Sequence, residues 1–95
     1  METDMEYQYR IDLGRIYSVD EFQDVLRENL PLPEYYGGTL DALYDVLTDE
    51  GSKWTILFTG FVEVEAILGK YARSFKRMCE RACKECDNLC IDFSD

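Results

Sequence analysis

Three short segments of strand character stand near the beginning, the middle and the end of the sequence, and each gap between them is long enough to hold helices. Tyr7, Tyr9, Ile11 and Leu13 alternate with Gln8, Arg10 and Asp12, the two-residue period of a strand with one buried face. Trp54 to Phe58 is a compact apolar run rich in β-formers, and Leu89, Ile91 and Phe93 alternate with Cys90, Asp92 and Ser94. Long crossovers permit parallel pairing, and right-handed ones place the helices on one side of a sheet laid out in chain order. The expected fold class is α/β: a two-layer domain with a three-stranded parallel sheet in chain order, packed by three to four helices.

The helices announce their own ends. Ser18, followed three residues later by Glu21, has the form of a capping box; Val19, Phe22, Val25, Leu26 and Leu30 then recur at helical spacing. Asp20, Asp24, Arg27 and Glu28 fall on the other side, and Pro31 and Pro33 stop the helix. Thr39 is placed to cap a second helix, Leu40 to about Thr48, which ends near Asp49, Glu50 and Gly51. Between the two, the segment 31–38 starts rigid and ends permissive, with Tyr35 and Tyr36 between a proline and a glycine pair. Phe61 to Leu68 fits a short helix and a strand equally well, whereas Lys70 to Glu85 has the pattern of a long amphipathic helix.

At 95 residues the chain can form one modest core, so we expect a single domain, residues 1–95, and exclude a two-domain enzyme with a cofactor half. There is no histidine, which removes most general-base, triad and zinc arrangements. Glu63 and Glu65 are paired carboxylates, but no nucleophile, metal cluster or phosphate loop accompanies them. We therefore expect no catalytic residue and no cofactor. Twenty acids against ten bases give a net charge of −10, which repels nucleic acid and anionic membranes and attracts a basic protein. No apolar run has the length of a membrane span, and Met1 to Arg10 is acidic and polar where a signal peptide is basic and then apolar. A cytoplasmic location with reduced thiols is the expectation.

The second helix carries a row of acids. Leu40, Ala42, Leu43, Tyr44, Val46 and Leu47 share one arc, and Asp41, Asp45, Thr48 and Asp49 share the other. Like charges four residues apart cost about 0.2–0.5 kcal/mol per pair, and Asp49 sits near the negative end of the helix dipole. Such a row is either a solvated face of an acidic protein or a surface kept for an external cation. Charge is also unevenly distributed: residues 1–69 hold 15 acids and 4 bases, residues 70–95 hold 5 acids and 6 bases. The negative field belongs to the part of the chain that contains the row, and such a field speeds encounter with a basic partner.

The sixteen residues Leu32 to Leu47, LPEYYGGTLDALYDVL, closely resemble the signature of the barstar family, intracellular inhibitors of secreted bacterial ribonucleases. The resemblance implies a barstar-like fold and a protein that plugs an active site with its second helix and the preceding loop. By that likeness Asp45 takes the place of the substrate phosphate, with Asp41 as the neighbouring charge contact and Tyr35 as the loop aromatic. Thr39, Leu40, Tyr44, Thr48 and Asp49 carry over as contacts along the helix, and Glu80 as a contact from the last long helix. A carboxylate suits the role because it accepts paired hydrogen bonds from the cationic groups that hold a phosphate. The sequence departs from the pattern at Tyr44, where a tryptophan stands in the best-known member, at Asp49, where a glycine precedes an interface tryptophan, and at Lys84, where an acid is expected. The implied partner is a basic, barnase-like ribonuclease, or a related toxin nuclease, bound one-to-one by an inhibitor that is monomeric when free.

Cys79, Cys83, Cys86 and Cys90 support a different reading, a zinc or iron–sulfur module, since the first three have the spacing C-x3-C-x2-C. Projected on the long helix, however, Cys79, Cys83 and Cys86 share the arc of Tyr71, Ala72, Phe75, Met78 and Ala82, where buried thiols pack as small hydrophobes. Trp54 has two readings as well, an interface aromatic or a core residue beside an apolar run.

Overall fold

A computed structural model describes residues 7–94; Asp95 and Met1 to Glu6, which belong to the acidic N-terminal stretch considered above, lie outside the described residues. In chain order the elements are β1 (Tyr9–Asp12), α1 (Val19–Asn29), α2 (Leu40–Thr48), β2 (Thr55–Thr59), α3 (Phe61–Leu68), α4 (Lys70–Glu85) and β3 (Cys90–Ser94). The three strands form one parallel sheet in the order β1-β2-β3, with Ile11 opposite Phe58 and Phe58 opposite Phe93. This is the α/β architecture the strand spacing called for, with four helices.

Ser18 caps α1 by accepting from the Glu21 amide at 3.1 Å, and the Glu21 carboxylate accepts in return from the Tyr17 amide at 2.8 Å, one residue earlier than an ideal capping box. Thr39 caps α2 in the same way through the Ala42 amide at 3.1 Å. The segment 61–68, open between two readings, is helical. Phe61 and Val64 are buried and Leu68 packs against the core at helical spacing, while Val62 and Ile67 stay exposed, which strand alternation would not produce. Gly60 starts that helix at φ +73°, and a Cβ there would lie 2.8 Å from the Gly14 nitrogen, so the turn after β2 approaches the turn after β1 this closely only with a glycine at position 60.

Two strand boundaries differ from the sequence pattern. Tyr7 leaves the alternation: its hydroxyl bonds the Asp92 carboxylate and its ring lies under the Arg10 guanidinium, so it sides with the polar residues rather than with Tyr9 and Ile11. Trp54 precedes β2 rather than opening it, although its carbonyl still accepts from the Cys90 amide at 2.9 Å. The indole packs edge-on to Tyr9 at 5.5 Å and against Gly51, where any Cβ would fall 2.6 Å from the ring. That settles Trp54 as a packing residue.

The core is tied together by a chain of aromatic contacts. Phe22 meets Phe75 at 4.8 Å, Phe75 meets Phe58 at 5.2 Å, Phe58 stacks on Phe93 at 5.5 Å and Phe93 meets Phe61 at 5.2 Å, so α1, α4, β2, β3 and α3 all contribute a ring. Against this core α2 packs Leu43, Val46 and Leu47 and lies alongside α4, leaving its acidic side outward.

Candidate functional site

The loop 31–38 sorts its two tyrosines to opposite sides. Tyr36 is 8% exposed and Tyr35 is 81% exposed, the largest exposure of any bulky apolar side chain among the described residues. A turn closed by the Tyr36 amide on the Pro33 carbonyl, 3.0 Å, sets the direction of the chain. The Tyr36 hydroxyl then donates to Gln23 Oε1 at 2.5 Å, and Gln23 Nε2 donates to the Tyr71 hydroxyl at 2.8 Å. Gln23, 4% exposed, thus ties the loop to α1 and α4, and the price of burying its amide is met by two partners. Burial, followed by nearby Tyr71, pushes the Tyr36 phenol up to about 12, with Arg27 acting in the opposite sense.

Asp41, Asp45 and Asp49 are all exposed on α2 and its C-cap. Tyr35, Asp45, Asp49 and Glu50 line a shallow hollow of about 170 Å³ whose wall is completed by Tyr36, Gly37, Ala42 and Val46. Aromatic loop and acidic helix face each other across it. Thr39, at the N-cap, is exposed, while Leu40 and Thr48 are half-buried, Leu40 against the core and Thr48 with its hydroxyl donating to the Tyr44 carbonyl at 2.9 Å.

Tyr44 looks away from the hollow, toward α4. The Arg81 guanidinium sits 5.2 Å over its ring, and Glu85 faces its hydroxyl. Partial desolvation, then the Glu85 charge, raise the Tyr44 phenol above its usual value, with Arg81 acting in the opposite sense. Glu80 is set apart. It lines a second hollow of about 430 Å³ with Phe61, Val62, Glu65, Arg73, Lys76, Arg77 and Phe93, and none of the α2 acids borders that space. On α4, Arg81 and Glu85 are the charged residues that meet Tyr44 of α2. Sequence reasoning passed over Gln23, Glu50, Arg81 and Glu85; of these, only Gln23 carried a signal, a polar residue on the apolar arc of α1 between Phe22 and Leu26.

The cysteines are four free thiols. Cys79 lies in the core, where burial raises its thiol well above the usual range, and Cys86, at the C-cap of α4, donates to the Thr48 carbonyl at 3.7 Å. Cys83 is half-buried and also raised, first by desolvation, and Cys90 opens β3. Among the described residues no group of three or more Cys, Asp, Glu or His side chains converges on a point that could hold a metal ion. Among them, too, no helix is long and apolar enough to cross a membrane.

The family model described as Barstar (barnase inhibitor) matches residues 7–94. A relative from Bacillus subtilis (strain 168), named "Putative ribonuclease inhibitor YrdF", is 32% identical over 80 residues that take in 79% of this chain and 84% of that protein. An exposed tyrosine and a row of acids, held on a parallel three-stranded α/β frame, thus occur in a chain that belongs to the barstar family, whose members are inhibitors of ribonuclease and not enzymes.

Proposed function

We propose that this protein inhibits a basic, barnase-like ribonuclease by filling its active site with α2 and the loop before it. In this reading Asp45 stands in for the substrate phosphate and accepts hydrogen bonds from the cationic groups that otherwise bind it. Asp41 adds a second negative charge about 6 Å further along the helix axis. Tyr35 packs against the rim of the cleft, with Thr39, Leu40, Thr48 and Asp49 as further contacts on the helix. The complex is one-to-one, the free inhibitor is monomeric, and it acts in the cytoplasm.

The observation that carries the reading is the opposition of the exposed Tyr35 to Asp45 and Asp49 across one hollow. An acidic face without a presenting loop would serve solvation as well as recognition. Here a buried hydrogen-bond network holds the loop so that its aromatic projects, and an exposed aromatic beside acids suits a partner that is both basic and concave.

Inhibition of RNA cleavage by barnase and by other secreted basic ribonucleases, titrated at fixed enzyme, is the direct test. The expected outcome is stoichiometric loss of activity by the wild-type protein with at least one enzyme. Asp45→Ala should weaken that inhibition roughly a hundredfold, about 2.7 kcal/mol, and Asp41→Ala roughly tenfold. An Asp45→Ala protein that inhibits within threefold of wild type would remove the phosphate-replacement role.

A further inference from the structure

Tyr44 is the link between the acidic row and the last long helix. It precedes Asp45 directly, its carbonyl accepts from Thr48, and its ring carries the Arg81 guanidinium at 5.2 Å, with Glu85 one turn further on at its hydroxyl. The surface that contains Asp45 therefore continues sideways onto α4 and meets a cation there. Six of the ten bases of the chain lie on α4, and one of them, Arg81, rests on the Tyr44 ring of α2.

That cation is in an adverse place for a generic inhibitor. A cleft that binds RNA is lined with positive charge, and a guanidinium at its rim is repelled unless the enzyme offers an anion at the same spot. Arg81 is exposed, so its charge reaches an approaching surface, and its contact with the Tyr44 ring limits how far it can swing aside. Like charges brought together across an interface exclude wrong partners, and a matched pair fixes register.

Resting on the inhibitor reading above, we propose that Arg81 is a specificity-determining residue: the ribonuclease this protein inhibits presents a carboxylate opposite Arg81, and ribonucleases with a basic rim at that point are bound more weakly. The acidic row supplies attraction common to all basic nucleases, and Arg81 chooses among them.

The test uses the full-length protein against a panel of secreted basic bacterial ribonucleases, barnase included, with dissociation constants measured for wild type, Arg81→Lys, Arg81→Gln and Arg81→Glu. For the enzyme bound most tightly by wild type, Arg81→Glu should lose at least tenfold in affinity, Arg81→Gln an intermediate amount, and Arg81→Lys little. The unfolding midpoint should be unchanged in the lysine variant, which separates a charge effect from a structural one. For enzymes bound weakly by wild type, Arg81→Glu should tighten binding. If Arg81→Glu leaves the tightest complex within twofold or tightens it, the assignment is overturned while the inhibitor reading stands. If wild type inhibits no enzyme of the panel, the inhibitor reading fails and the assignment with it.

Discussion

The hydroxyl of Tyr36 donates to the side-chain oxygen of Gln23 at 2.5 Å, a buried bond between the loop that presents Tyr35 and the first helix. Because the Gln23 amide nitrogen continues to Tyr71 of α4, one side chain fixes three parts of the fold.

Removing that side chain should affect both stability and binding. In Gln23→Leu the apolar volume is kept, but the Tyr36 hydroxyl loses its short acceptor, which we expect to cost about 1–2 kcal/mol in urea unfolding. Inhibition of the target ribonuclease should weaken severalfold even where the variant is fully folded, because Tyr35 is then displayed on a looser loop. Unfolding curves and inhibition titrations on the same preparation check both parts.

Alkaline pH should destabilise the protein in a defined window. The folded Tyr36 phenol keeps its proton up to about 12, whereas an unfolded tyrosine releases it near its usual value of 10. At this group the folded state then binds more protons than the unfolded one, so the Tyr36 contribution to stability is fully present below pH 10 and is lost as pH rises through 12. Urea unfolding across this range should show the decline, and Tyr36→Phe should make it shallower, the remainder coming from Tyr71, Cys79 and Cys83, which burial also raises.

Association with the ribonuclease should be fast at low salt and slow markedly as salt is added. The screening length falls from about 30 Å at 0.01 M to about 8 Å at 0.15 M, so the field of the acidic portion reaches less far. Stopped-flow association rates should drop roughly tenfold or more across such a range, with dissociation rates changing far less. Asp41→Asn should lower the low-salt rate and reduce its salt dependence.

Core packing is predicted to hinge on Phe75, whose ring touches Phe22, Phe58 and Phe93. Phe75→Ala should cost about 3–5 kcal/mol, the cost of a buried aromatic truncated in a core that cannot collapse around the gap. Denaturant unfolding with an unchanged slope would show that the loss lies in the native packing.

Much of the frame is legible in the chain itself. Ser18 and Thr39 announce their helices through local hydrogen bonds, and α2 and α4 occupy the ranges their periodicity indicates, because amphipathic spacing reports burial on one side. The segment 61–68 is not decided this way. Its apolar residues satisfy two periods, and the choice is made by which of them meet the aromatic core. Tyr7 shows the same limit at a strand end, where a partner on β3, 85 residues away in sequence, draws it from the alternation.

The candidate site divides along the same line. The sequence alone determined the acidic row, since the helical period places Asp41, Asp45 and Asp49 on one side of α2 wherever that helix packs. It also determined the loop that brings Tyr35 close, because prolines and glycines act locally. Only the tertiary structure decided which tyrosine of the pair projects, that Gln23 holds the loop, and that Arg81 and Glu85 meet Tyr44 of α2. The reason is physical: backbone preferences and periodicity are properties of neighbours along the chain, whereas the facing of α2 toward α4 depends on how two helices rotate to bury a shared core.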